Sequence, residues 1–449
     1  MNLFLKKNGG LIVAALAVLL LWGTSAMAVV DGVEGTSFSL EAREGYINSP
    51  DGDTIYMWGY GMSGGGAMQY PGPTLIVPQG APVTVTLVNH LPPAHGQNVS
   101  IVFPGQVVTA TGGVPGTLTQ EAPPDGAAPS PTTVTYTFTA THPGTYLYRS
   151  GTRSDLQVEM GLVGALIVRP TFLTGGTPPV ENRPKSPPYK FAYNHVSTAY
   201  HYEYLYLVTE ADINVHRLVE RGRIADVDMT KWFPVHWFVN GRAFPDLLQP
   251  PNVPWFPTQP YNCVPRTHPF EKVLIRVIGA GQQQHPMHYH AQDFSTIAVN
   301  GRLLSSTGGA TGPDLAWKAS TFNFTPGMTA DLLWEWTGAE LGWDAYGHAP
   351  GDPYVEGYEI QDPGNDDHGK PFPVILAERD DLAFGQFWSG SPFLGGLGDL
   401  PPDHPGTNTA GGYLFPWHSH SEKELTSNDV FPGGTLTFVI LEHPDVVIE

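Results

Sequence analysis

The sequence contains a single cysteine, few charged residues and no long hydrophobic run beyond its first 30 positions. Cys263 is alone among 449 residues, so no disulfide can form within the chain. Charged residues make up only 14% of the total, and 42 acids against 22 bases give a net charge of −20 at pH 7. Such an acidic chain is a poor partner for nucleic acid and for anionic membrane surfaces.

The N-terminus has the pattern of a secretory signal peptide. Lys6 and Lys7 precede an apolar run over 11–22, and the small-residue sequence Ala26-Met27-Ala28 follows. We therefore predict a signal peptide over 1–28 and a periplasmic or extracellular protein. The apolar run is shorter than the roughly 20 residues that cross a bilayer, and no later segment is longer, so no membrane span is expected.

The rest of the composition indicates an all-β protein. The chain has 52 Gly and 44 Pro, and its apolar residues alternate with polar ones in many short runs, which is typical of strands joined by turns. We interpret 74–91 as a hairpin that turns at Gly80, and we expect one short helix over 211–219. Further strands are predicted in 133–140, 142–148, 161–170, 189–196, 202–208, 272–281, 294–301, 329–336 and 435–442.

A segment rich in proline and glycine divides these strands into two groups. It covers 171–188 and has the composition of an extended linker. We predict a first β-sandwich over 31–170 and a second over 189–449. The second contains a long stretch of low periodicity over 337–412, interpreted as a functional or mobile loop insertion.

The histidines are clustered. Five of 17 lie in two short motifs, HPMHYH (His285, His288, His290) and WHSH (His418, His420). Because side chains alternate along a strand, His288 shares a face with His290, and His418 shares one with His420. If the two strands are neighbours, four imidazoles converge, with His285 just outside. Neutral imidazoles suit copper, zinc and nickel, and nitrogen-only ligands favour Cu(II), so we predict that these five histidines form a metal site for copper; the alternative is a set of hydrogen-bonded polar histidines.

Several of these motifs resemble those of multicopper oxidases. HPMHYHAQDF (285–294) is similar to the His-Pro-x-His-x-His segment of their last domain, and WHSH is similar to their C-terminal His-Cys-His element. YPGPTLIVPQGAPVTVTLVNHLP (70–92), the segment 144–170 and FVNGRAFPD (238–246) resemble other parts of these enzymes. The resemblance implies two Greek-key cupredoxin sandwiches, a copper cofactor and oxidoreductase activity in intact members.

The chain departs from this family at several copper ligands. Val102-Phe103-Pro104 stands where the first domain of the family has His-Trp-His, and Arg149-Ser150-Gly151 replaces a second His-x-His. Ser419 occupies the position of the type 1 cysteine, while Glu424 and Asp429 lie near the remaining type 1 positions. A hydroxyl cannot supply a thiolate bond, so no blue type 1 centre is expected.

The resemblance implies roles for the surviving histidines. His288 matches a type 2 copper ligand, His290, His418 and His420 match type 3 ligands, and His285 matches a type 1 ligand that has lost its partners. The resemblance therefore implies a remnant site for one or two copper ions. The HSHSEKE sequence (418–424) is also similar to exported bacterial members that resemble manganese oxidases. We interpret Glu422 and Glu424 as solvated charges, although they could instead orient histidines.

Three weaker candidates are interpreted structurally. His195 and His236 lie in aromatic surroundings and are expected to pack with one ring nitrogen hydrogen-bonded. The acidic sequence GNDDHGK (364–370) lacks the spacing of a calcium loop and is interpreted as solvated.

Three functions remain open from the sequence. The favoured one is an exported copper-binding protein with a histidine-only site. The second is an oxidoreductase whose copper site is completed by a partner protein or by a second copy of the chain. The third is a structural or interaction module that binds no metal.

Overall fold

The structure is a computed structural model that describes residues 30–126, 133–171, 190–336, 391–393, 412–442 and 447–448. The proposed signal peptide, the proposed linker apart from Thr171, and nearly all of the 337–412 stretch, including GNDDHGK, lie outside the described residues. No helix in the described part of the chain is long and apolar enough to cross a membrane.

The strands up to residue 169 are called the first strand set, and one short helix, α1 (Ser154–Gln157), accompanies them. They are β1 (Val33–Glu34), β2 (Ser37–Asn48), β3 (Thr54–Met62), β4 (Gly72–Pro78), β5 (Pro82–Asn89), β6 (Thr109–Gly112), β7 (Val114–Pro115), β8 (Gln120–Glu121), β9 (Thr133–Thr139), β10 (Gly144–Arg149) and β11 (Val163–Arg169).

Two sheets of the first strand set form a sandwich. One sheet has the order β1-β4-β11-β10 and the other β3-β2-β5-β9-β6, while β7 and β8 pair separately. The predicted hairpin over 74–91 is therefore wrong, since β4 and β5 lie in different sheets. The physical reason is burial: β4 is buried almost throughout and pairs in parallel with β1 and β11, whereas β5 alternates between buried and more accessible positions.

The strands from residue 190 onward are called the second strand set, and helix α2 (Ile213–Glu220) confirms the helix predicted over 211–219. They are β12 (Lys190–Phe191), β13 (Ala199–Tyr200), β14 (Tyr202–Ala211), β15 (His236–Val239), β16 (Arg266–Thr267), β17 (Lys272–Gly279), β18 (His285–Tyr289), β19 (Phe294–Val299), β20 (Arg302–Leu303), β21 (Trp317–Ala319), β22 (Thr321–Phe324), β23 (Thr329–Glu335), β24 (Ser391–Phe393), β25 (Gly412–Ser419) and β26 (Leu436–Leu441).

Two larger sheets organise the second strand set. One has the order β15-β14-β17-β23-β19-β20, with β21 also paired to β19; the other has the order β16-β26-β25-β18-β22, with β24 also paired to β25. Their inner faces share an aromatic core that includes Tyr206, Trp334 and Trp417. Short 3-10 helices cover Pro93–His95, Val196–Thr198, Ile224–Asp226, Met229–Lys231, Asp246–Leu248 and Glu422–Leu425. The all-β sandwich prediction is confirmed.

A buried ionic network joins the two strand sets. Arg276 on β17 donates from Nε to Glu203 at 2.8 Å and contacts Asp331 at 3.3 Å, and all three side chains are almost fully buried. Arg169 on β11 also donates to Glu203, with Nη1 at 2.6 Å from Oε2. Burial alone would raise the pKa of Glu203, but the two guanidinium groups outweigh it and hold that pKa well below its usual range.

We expect Glu203→Gln to lower the free energy of unfolding by about 3 to 5 kcal/mol, because the amide leaves the buried guanidinium of Arg276 and the partly buried one of Arg169 without their shared anion. Urea titration of the purified variant measures this loss. Asp226→Asn, which disrupts an exposed ion pair with Arg223, should cost at most about 1 kcal/mol. Equal effects of the two substitutions would contradict a stabilising role for the network.

Candidate metal centre

The two histidine motifs lie on neighbouring strands. β18 and β25 are antiparallel partners, and their register places His288 directly opposite His418. Facing residues of an antiparallel pair carry their side chains on the same side of the sheet. His290 and His420 follow two residues further along the chain and continue the same face. The strand pairing expected from the sequence is therefore present.

The four imidazoles form one cluster. Ring centroids are 4.5 Å apart for His288 and His420, 4.8 Å for His288 and His290, and 5.1 Å for His290 and His418. His418 and His420 are 5.2 Å apart, and His288 and His418 are 5.9 Å apart. We call these residues the four-histidine cluster. His420 is exposed, whereas the other three rings are half-buried, so the cluster is open to solvent on one side.

One pair of nitrogens in the cluster faces directly. His290 Nε2 and His418 Nε2 are 3.1 Å apart, while His418 Nδ1 lies 2.9 Å from the carbonyl oxygen of Ser419. A carbonyl only accepts, so His418 Nδ1 carries the proton and its Nε2 presents a lone pair toward His290. This arrangement provides a hydrogen bond between the two rings.

The environment of His288 favours its neutral form. Burial, and then the neighbouring rings of His290, His420 and His418, lower its pKa to about 4. Burial and His420 also lower the pKa of His418. His288 Nδ1 lies 2.8 Å from Thr321 Oγ1 on the adjacent strand β22. Neutral imidazoles with an oriented ring are the form in which histidine binds metal ions.

His285 lies on the other face of β18 and has a different environment. It is three positions away from His288 along the strand, so it points inward with Met287 and Tyr289 and is fully buried. Its Nδ1 lies 3.0 Å from Glu424 Oε2 and its Nε2 lies 3.0 Å from Glu210 Oε2. Burial lowers the pKa of His285, but the two carboxylates outweigh it and raise the pKa to about 9. Both ring nitrogens are thus engaged by carboxylates.

This geometry corrects the interpretation of Glu424. It was predicted to be a solvated charge, yet its side chain is buried and contacts His285; only Glu422 is exposed. The short 3-10 helix Glu422–Leu425 turns Glu424 inward. The second carboxylate belongs to Glu210 on β14, which the sequence does not predict as part of a site. It lies 75 residues from His285, and no local motif marks it.

The position expected for a type 1 cysteine contains no thiol. Ser419 is fully buried, and its Oγ accepts a hydrogen bond from the Ser421 amide at 3.0 Å. Cys263 lies in the aromatic core instead, with Sγ 3.5 Å from the Leu205 carbonyl oxygen. Burial raises the pKa of this thiol far above its usual range, which disfavours the thiolate that a copper bond requires.

In the first strand set, the positions where the resemblance to multicopper oxidases would place histidine ligands make other contacts. Phe103 is buried against the rings of Tyr136, Phe138 and Tyr148. Ser150 Oγ donates to Gln157 Oε1 at 2.6 Å. A Cβ atom added at Gly151 would lie 2.7 Å from Val102 Cγ1, so an imidazole at that position would displace its neighbours.

The two isolated histidines each have one ring nitrogen hydrogen-bonded, as predicted. His195 Nδ1 lies 2.7 Å from Ser197 Oγ, and the buried His236 has Nδ1 3.1 Å from Ser49 Oγ. Neither contacts the four-histidine cluster through any interaction found among the described residues.

Comparison with known proteins identifies related sequences and folds. Residues 61–172 match a family model described as multicopper oxidase. The multicopper oxidase mgLAC is similar in structure, with 18% identity, 93% of this chain and 88% of that chain covered, and a TM-score of 0.52. The blue copper oxidase from Nitrosomonas europaea has 18% identity, 90% and 85% coverage, and a TM-score of 0.51. At this identity the structures show a shared fold only. No curated protein matches the sequence.

We expect the protonated form of His285 to stabilise the folded protein. Its folded pKa of about 9 exceeds the unfolded value, so this stabilisation is complete below about pH 6.5 and is lost as the pH rises through about 9. The gap in unfolding free energy between the wild type and His285→Gln should therefore shrink by roughly 3 kcal/mol between about pH 6 and pH 10. Urea titrations of both proteins at the two pH values measure this difference in unfolding free energy. A difference that does not change with pH would show that His285 is not charged in the folded protein.

Proposed function

We propose that the protein is an exported copper-binding member of the multicopper oxidase superfamily. Residues 61–172 match the model of that family, and the described chain has a cupredoxin-like sandwich fold. Its copper is held in the second strand set by His288, His290, His418 and His420, and it has no type 1 centre. The proposal includes two cupredoxin-like domains, 31–170 and 189–449, joined by a linker over 171–188.

The facing nitrogens of His290 and His418 carry this proposal. With metal–nitrogen bonds of about 2.0 Å, two nitrogens 3.1 Å apart subtend an angle of about 100° at a shared ion, which falls in the range of ordinary coordination geometries. The rings of His288 and His420 lie 4.5 Å apart on the same face. A set of only neutral imidazoles suits Cu(II), the divalent ion that nitrogen ligands bind most strongly.

The surroundings of the cluster support a site without a thiolate. Ser419 faces the core between His418 and His420, and burial of Cys263 in the aromatic core favours its protonated thiol. His285, which the family would use at a type 1 centre, is engaged by Glu210 and Glu424. We therefore place His285 outside the copper ligands and assign it a stabilising role beneath the cluster.

One observation favours oxidoreductase activity as the second candidate function. His420 is exposed, so the cluster is accessible from outside the chain, and a partner protein or a second copy could add ligands there. The first strand set provides no imidazole at Val102–Pro104 or at Arg149–Gly151 for such a cluster. Electron transfer would then need a partner, so copper binding without turnover is the primary proposal.

We expect the mature chain to retain Cu(II) through dialysis with a type 2-like electron paramagnetic resonance spectrum and no intense thiolate-to-copper absorption. His288→Ala/His418→Ala should lose the bound copper, because it removes facing ligands from both strands. His142→Ala, which removes an exposed histidine outside the cluster, is the matched control and should retain it. Elemental analysis and the spectra measure both outcomes. A wild type that retains no copper would overturn the proposal in favour of a module without metal.

Thr321 is expected to position His288 for binding. Thr321→Val keeps the shape of the side chain but removes the oxygen 2.8 Å from His288 Nδ1, so copper affinity should fall about 10- to 100-fold. Competition with a chromophoric chelator measures the affinity. Thr109→Val, at an exposed strand position remote from the cluster, should leave it unchanged. Unaltered binding in Thr321→Val would show that the hydroxyl does not orient the ring.

A further inference from the structure

A second group of metal-ligating side chains lies where the two strand sets meet. The turn between β2 and β3 contains Asp51 and Asp53, and the backbone of Ser49 closes it by donating to the Asp53 carbonyl oxygen at 3.0 Å. His236 begins β15 in the second strand set and faces this turn, with Nδ1 3.1 Å from Ser49 Oγ. The turn and β15 are about 185 residues apart in the chain.

One ring nitrogen of His236 has no hydrogen-bond partner among the described residues. The residue has 0% exposure, and its Nε2 is buried without a hydrogen-bond partner among the described residues. Its ring lies parallel to Phe238, with centroids 6.1 Å apart, so packing fixes its orientation. A buried polar atom without a partner is uncommon in folded proteins and indicates a missing ion, a missing water or a functional role.

The spacing of the three side chains fits a shared ion. One ligand atom from each of Asp51, Asp53 and His236 lies within 4.8 Å of the other two. Two ligands of one ion at bond lengths of about 2.0 to 2.4 Å are separated by at most about 4.8 Å. No hydrogen bond joins the imidazole to either carboxylate within the described structure. Arg217 lies 3.2 Å from Asp53 and neutralises part of the negative charge.

We propose that Asp51, Asp53 and His236 bind a divalent transition-metal ion, with Zn²⁺ as the best-fitting probe. One imidazole and two carboxylates are ligands that Zn²⁺ accepts, with water completing four-coordination, whereas Ca²⁺ requires oxygen ligands alone. The site is separate from the four-histidine cluster. Because its ligands come from both strand sets, the bound ion fixes the β2–β3 turn against β15 and stabilises their junction.

The test uses the full mature chain carrying His288→Ala/His418→Ala, so that the four-histidine cluster is removed and failure of the copper proposal cannot affect the result. Isothermal titration with Zn²⁺ should show one site per chain, and Zn²⁺ should raise the midpoint of thermal unfolding. Adding Asp51→Asn/Asp53→Asn should weaken Zn²⁺ binding at least about 100-fold and abolish the shift, because amides are poor zinc ligands. Ca²⁺ should produce neither effect.

Asp226→Asn/Asp228→Asn is the matched control, since it removes the same charge from two exposed acids away from the site. It should bind Zn²⁺ as the parent does. His236→Gln provides a second test of the same site, and circular dichroism in metal-free buffer establishes that each variant is folded. The proposal would be overturned by a parent that binds no Zn²⁺. It would also be overturned by a folded Asp51→Asn/Asp53→Asn variant that binds Zn²⁺ as tightly as the parent does.

Discussion

The pairing of β18 with β25 is the interaction on which the candidate centre depends. It sets His288 opposite His418 in an antiparallel register, and the alternation of side chains then adds His290 and His420 to the same face. A shift of one residue in this register would move His418 and His420 to the core side of the sheet. The aromatic core beneath β18 and β25, formed by Met287, Tyr289 and Trp417 with their neighbours, opposes such a shift because it would expose them.

Charge compensation distinguishes the two faces of the same strand. On the outer face, burial and neighbouring rings lower the pKa of His288 and favour the neutral imidazole that metal ions bind. On the inner face, Glu210 and Glu424 raise the pKa of His285 and hold it as a cation. Identical side chains three residues apart therefore have opposite roles, because only one of them is enclosed by carboxylates.

The junction of the strand sets contains further buried polar groups. Glu203 lies between Arg169 and Arg276, and Asp331 accepts from Thr145 of the first set at 2.6 Å. Buried ionic groups of this kind are costly to separate, since each would be left without its counter-charge. They therefore hold the two sandwiches in one arrangement, and the Asp51, Asp53 and His236 group lies at the same junction.

The sequence by itself determined the all-β class, the resemblance to multicopper oxidases and the identity of the four clustered histidines. These follow from local information: alternation along a strand, His-x-His spacing and motif composition. Only the tertiary structure decided that β4 and β5 lie in different sheets, that Glu424 is buried, and that Glu210 contacts His285. The physical reason is that these contacts join residues distant in the chain, and their burial depends on how the sheets pack rather than on any local pattern.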